Sequence, residues 1–221
     1  VIPSRMKRLA LFLTGTSLVA LLGCGQVLYL SKLGWHQARI TSQSLPIEEV
    51  LRKDQADQEV QSKIRFIQEV KAYGEEALGL KKTRNYSTYF EIQGPVFYVM
   101  TASEPDRLRL RHWTYPVIGR VTYRGFFERE TALAEKKRLE KNGYDTYLQP
   151  VEAYSTLGWF RDPIFTPMLA WDPGTLANLI LHEMTHATVY FRGRTDFNEQ
   201  MATFIGNQGA VEFLKKRHGA G

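Results

Sequence analysis

Cysteine is nearly absent from this chain: one of its 221 residues, Cys24, carries a thiol. A single thiol excludes a disulfide framework and a thiolate-rich metal site. Histidine is also scarce, with five in all, so any two at ligand spacing stand out. No long apolar run exists either; residues 9–23 form the longest, short of the roughly 20 residues that span a bilayer. No internal repeat is present, which excludes a solenoid or a propeller. Strong charge of one sign is lacking too, because the formal +6 becomes +3 once Arg5, Lys7 and Arg8 are set aside. The basic clusters at residues 81–84, 107–112 and 215–217 therefore read as solvated faces or contacts with anionic lipid or envelope polymer, and no nucleic-acid partner is expected.

What the chain does have is His182-Glu183-Met184-Thr185-His186, the spacing H-E-x-x-H. With five His and sixteen Glu, chance supplies about 0.008 such matches in a chain of this length. On a helix, positions i and i+4 share a face, so His182 and His186 can close on one metal ion. Glu183 then sits beside the ion's open position, where it can act as general base on a water molecule. The context agrees. Asp172-Pro173 reads as an N-cap followed by proline at the first helical position, and no breaker interrupts residues 175–190.

A catalytic zinc takes three protein ligands. The best third ligand is Glu199, thirteen positions after His186 on a second expected helix, with Gly193 supplying the turn. Asp196-Phe197-Asn198-Glu199 also fits a capping box, which would engage the same carboxylate differently. Asp196, His112 and His218 are the remaining candidates. The 153–163 loop precedes the motif helix, and Tyr154, Ser155 and Thr156 are candidates for substrate or oxyanion binding. The competing reading is a turn that packs Trp159 and Phe160 into the core. Tyr123, Arg124 and Gly125 could contribute to a site, or Arg124 could simply be solvated.

Arg5, Lys7 and Arg8 before residues 9–23, with Cys24 directly after, read as a lipoprotein export signal over 1–23 and an acylated Cys24. The competing reading is an uncleaved anchor helix. Both place the body beyond the inner membrane, in the cell envelope and facing the periplasm. Residues 24–45 lack clean periodicity and are expected to form a tether, leaving 46–221 as one domain. Helices are expected from Ile47 and along Val60, Ile64, Ile67 and Val70 to near Gly79. Strands are expected at 95–101, 117–123 and 144–151, with a helix over 128–142. That order gives an α+β fold with a modest sheet packed against the motif helix and a following Glu-bearing helix.

The runs 153–163 and 182–204, with Trp113-Thr114-Tyr115-Pro116-Val117-Ile118-Gly119 and Tyr123-Arg124-Gly125-Phe126-Phe127, resemble the bacterial predicted aminopeptidase family of zincin-type lipoproteins. The resemblance implies a zincin-like fold and a zinc-dependent peptidase acting on peptides. It matches His182, His186 and Glu199 to the Zn2+ ligands and Glu183 to the catalytic carboxylate. It also implies a domain that continues beyond Gly221 with further helices. A zinc amidase acting on peptidoglycan peptides and a non-catalytic envelope lipoprotein stay open as alternatives, because the same water attack serves any amide.

Overall fold

The computed structural model describes residues 28–52, 57–107, 109–115, 119–154, 156, 160–191 and 193–219. The export signal, Cys24, Ser155 and Trp159 lie outside the described residues. Two compact units divide the chain, one ending at Ser42 and one starting at Gln43. Helix α1, residues 28–43, occupies most of the stretch that the sequence reads as a tether. Among the described residues no helix is long and apolar enough to cross a membrane.

The second unit is α+β. It runs β1 (Leu45–Pro46), α2 (Ile47–Arg52), α3 (Gln58–Glu76), β2 (Thr88–Phe90), β3 (Phe97–Ser103), β4 (Trp113–Tyr115) and β5 (Gly119–Val121). β6 (Tyr123–Phe126), α4 (Arg129–Lys141), β7 (Asp145–Val151), β8 (Ile164–Phe165), a 3-10 turn (Thr166–Ala170), α5 (Pro173–Thr188) and α6 (Thr195–His218) come next. The strands fall into three small sheets, β1-β2-β8, β6-β3-β7 and the β4-β5 pair. β2 and β8 run parallel, while β3 pairs antiparallel with both neighbours. α4 covers the β6-β3-β7 sheet, with Ala132 and Leu139 as its buried residues. Arg124 reaches from β6 to Glu135 of α4 at 2.9 Å, so it ties helix to sheet. Gly125 lies beneath the Phe97 ring, where a Cβ would come within 2.0 Å.

The motif helix does not rest on a modest sheet as expected; its main neighbours are helices α3 and α6. The physical reason is visible along α3. Ile64, Ile67 and Val70 recur at helical spacing and are fully buried, and Gly74 extends that stripe without a side chain. A Cβ there would meet Leu181 Cδ2 at 2.9 Å and Met184 at 3.0 Å, so α3 can approach α5 closely. From α5, Leu176, Ile180 and Leu181 are completely buried, each worth on the order of 1.5–3 kcal/mol of transfer free energy. Phe213 of α6 completes this core against Phe66 and Tyr73, at ring separations of 5.7 and 5.5 Å.

Candidate metal centre and active site

α5 starts where the sequence places it. Asp172 has extended backbone, and its carboxylate accepts from the Thr175 N–H at 3.0 Å, with Pro173 at the first helical position. The hydroxyl and N–H of Thr175 hold the Asp172 carboxyl below its ordinary value. The helix ends at Thr188, and the chain turns through Gly193 at φ +73°, a left-handed conformation that glycine adopts without a Cβ penalty. α6 then returns along α5.

That return depends on two features. Asn198 is fully buried, accepting from the Phe191 N–H at 2.9 Å and donating to the Phe191 carbonyl at 2.8 Å. It locks the start of α6 to the end of α5. One and two turns later come Ala202, fully buried, and Gly206. A Cβ on Gly206 would lie 3.0 Å from the Asn178 carbonyl oxygen and 3.2 Å from His182 Cβ. The small face of α6 thus presses against the helix backbone beside the first histidine.

The result is a convergence. His182 Nε2 and His186 Nε2 lie 3.0 Å apart, and the Glu199 carboxylate oxygens stand 3.5 Å from His182 Nε2 and 3.4 Å from His186 Nε2. The donor atoms of the three residues all fall within 4.8 Å of one another, a group that could hold a metal ion. A tetrahedral ion with ligand distances of about 2.0–2.1 Å sets its ligand atoms roughly 3.3 Å apart, so the residues fit such an ion. Burial lowers the His182 imidazole below its ordinary value, His186 pushes the same way, and Glu199 only partly offsets them. The neutral ring keeps a lone pair for a metal. His186 is buried, and its other ring nitrogen, Nδ1, has no hydrogen-bond partner among the described residues.

Glu199 does not act as the N3 member of a capping box. α6 begins at Thr195 after Arg194, which makes no side-chain cap bond, and the Glu199 carboxylate faces the histidines. Asp196 sits in the first turn of α6 and is outside the three-residue group, as are His112 and His218. Glu183, next to His182 on the same helix, is half-buried. Its charge is felt by Tyr86, whose phenol is pushed well above its ordinary value by burial first, then by Glu183 and Asp162. Tyr86 is buried with φ +59°, a left-handed backbone that costs a bulky residue on the order of 1–3 kcal/mol. The carbonyl of Asp162 accepts the Tyr86 N–H at 2.7 Å, and Gln68 Nε2 donates to the Tyr86 carbonyl at 2.6 Å.

The loop candidates have other partners. The Thr156 hydroxyl donates to Asp162 Oδ1 at 2.6 Å and accepts from the Phe160 N–H at 3.0 Å. Asp162, 1% exposed, also accepts from the Thr156 N–H at 3.0 Å and from Asn85 Nδ2 at 3.3 Å. Thr156 therefore shapes the loop. Tyr154 stacks among Phe97, Phe127 and Phe165 at 5.4–5.7 Å, and Phe160 is exposed, not in the core. Tyr123 and Arg124 belong to the β6-β3-β7 sheet. Sequence reasoning missed Asn198, Gly206, Tyr86 and Asp162; of these only Asn198, a polar residue directly beside a candidate ligand, offered a signal.

The fold and the site together define an α+β protein with a His-His-Glu group on a helical hairpin, able to hold a metal ion. Comparison with known families places it further. The chain belongs to the putative aminopeptidase family, whose sequence model matches residues 28–220. No curated protein matches the chain, and no solved structure does.

Proposed function

We propose that this chain is a zinc-dependent peptidase, with an aminopeptidase activity of the kind its family name states, on a zincin-like scaffold. The observation that carries the reading is the convergence of two imidazole nitrogens and one carboxylate within 4.8 Å, with Glu183 beside them on the same helix. His182, His186 and Glu199 would hold the ion. Zinc bound there supplies Lewis acidity, polarising a peptide carbonyl and making water more acidic. Glu183 takes the proton from the attacking water and delivers it to the leaving amine, a transfer for which its half-buried position beside His182 suits it. Tyr86, kept protonated by its raised pKa, remains a neutral neighbour of that carboxylate.

Two further parts of the proposal rest on sequence. Cys24, after its basic and apolar leader, anchors the protein by lipid to a membrane of the cell envelope, with the body facing the periplasm. Peptides are the substrate, and no nucleic acid is involved. The deciding experiment measures zinc content and peptide hydrolysis in wild type, Glu183→Gln and His182→Ala. Glu183→Gln keeps zinc and loses on the order of 10²–10⁴ in rate, whereas His182→Ala loses both. Full hydrolysis by Glu183→Gln refutes the mechanism.

A further inference from the structure

A groove of about 840 Å³ opens between residues 92–95, residues 149–153, the Thr166–Ala170 turn and α5. That volume falls in the range of sites that enclose a drug-sized ligand, well beyond a single side chain. Its walls are mainly apolar, with Ile92, Val151, Pro167 and Leu179 facing the space beside Gln93, Gln149 and Thr166. Among the described residues of the lining, Glu152 alone is charged. Its carboxylate accepts the Trp171 indole N–H, and the Trp171 carbonyl accepts from Lys63 Nζ at 2.6 Å, so the wall at this end is built from three elements.

Leu179 joins the groove to the metal centre. It lies three residues before His182 and four before Glu183, on the same face of α5, about 6 Å along the axis from Glu183. A chain lying in the groove therefore runs beside the helix turn that precedes Glu183. Apolar walls favour apolar side chains in proportion to the area they remove from water. Among the described lining residues the one charge is the Glu152 carboxylate, and the Lys63 ammonium behind it is already engaged by the Trp171 carbonyl, so an acidic side chain would lose hydration and face a like charge.

Resting on the peptidase reading above, we infer that this groove is the substrate subsite, taking an extended peptide segment of at least two residues with uncharged apolar side chains and rejecting acidic ones. The reaction is unchanged; what the groove adds is selection.

The test uses two hexapeptides that differ only in carrying leucine or glutamate around one scissile bond, with the zinc-loaded full chain, Ala170→Trp and Glu152→Gln. Ala170 is exposed at the groove, so tryptophan fills the space from outside without entering the core. The leucine peptide is expected to exceed the glutamate peptide at least tenfold in kcat/KM. Ala170→Trp is expected to lower the leucine value at least tenfold through KM with zinc content retained, and Glu152→Gln to narrow the gap by raising the glutamate value. Where peptides are cut, equal kcat/KM for the two, or an unaltered leucine value in Ala170→Trp, overturns the assignment. Where neither peptide is cut, the peptidase reading fails and calorimetric titration of the zinc-loaded Glu183→Gln chain with the blocked leucine peptide decides. Binding that Ala170→Trp abolishes upholds the groove, and no binding overturns it.

Discussion

Replacing Gly206 tests how the metal centre depends on helix spacing. Gly→Ala in a helix interior gains about 1 kcal/mol of propensity, and Gly34 in α1, where an added Cβ meets nothing within 4 Å, should show that gain alone. At Gly206 the same Cβ would stand 3.0 Å from the Asn178 carbonyl oxygen, an atom fixed in the backbone of α5. Overpacking of this kind costs about 1–3 kcal/mol, so Gly206→Ala should be destabilised by up to about 2 kcal/mol, and Gly206→Val by more. Gly209 offers the contrast. Its Cβ would come closer, 2.8 Å from Leu181 Cδ1 and 2.9 Å from Leu78 Cδ1, but these are the ends of flexible side chains that can turn aside. The backbone contact should therefore outweigh the shorter side-chain contact. Displacing α6 by a few tenths of an ångström also carries Glu199 away from His182 and His186, beyond the roughly 0.2 Å tolerance of a metal site. Zinc affinity should then fall about 10–100-fold, the scale of supporting-residue mutations. Thermal unfolding and competition against a chromophoric chelator measure the two effects. Gly206→Val with an unaltered Tm and a zinc Kd within twofold of wild type would refute the reasoning.

Asn198→Ala strips both side-chain partners from the part-buried N–H and carbonyl of Phe191 and should cost about 1–3 kcal/mol in urea unfolding, together with weaker zinc binding; a loss under 1 kcal/mol argues against the latch. Zinc at 100 times its Kd should add about 2.7 kcal/mol of stability, a rise in Tm of very roughly 5–10 °C for a chain of this size, absent in His182→Ala. Asp172→Asn keeps the capping acceptor but removes its charge. Because the folded-state pKa of Asp172 is lowered, its stabilisation is present at neutral pH and disappears as pH falls below about 3.9 and through the folded value. The Tm gap between wild type and Asp172→Asn should close over that range, and a gap constant with pH would contradict the role.

The legible parts of the molecule were those in which chemistry and spacing are local. Asp172 with Pro173, the i,i+4 histidines and Gly193 each announce a conformation within a few residues, and the structure has that conformation at each. β3, α4 and β7 lie within two residues of their expected bounds because β-branched runs and a charged helix differ in period. The packing partners of α5 were not legible. Nothing near Gly74 signals that a missing side chain lets α3 approach Leu181 and Met184, so a sheet was expected where helices lie. Glu199 carried two competing local readings, cap and ligand, and only the placement of α6 by Asn198 turns its carboxylate to the histidines. α1 was missed because its polar and aromatic residues show no single apolar face. Tyr86 lies far from α5 in sequence, and its left-handed backbone has no residue-type signature.

The three donors of the metal centre all lie on one helical hairpin, from His182 to Glu199, while the groove walls come from segments as distant as residues 92–95. Closing the hairpin requires little loop entropy, whereas assembling the groove requires long-range contacts. During folding, the ion-binding hairpin can therefore form before the surface that would select substrate. Zinc captured at that point would act as a template for the later long-range contacts, and loading the metal would speed folding as well as stabilise its product.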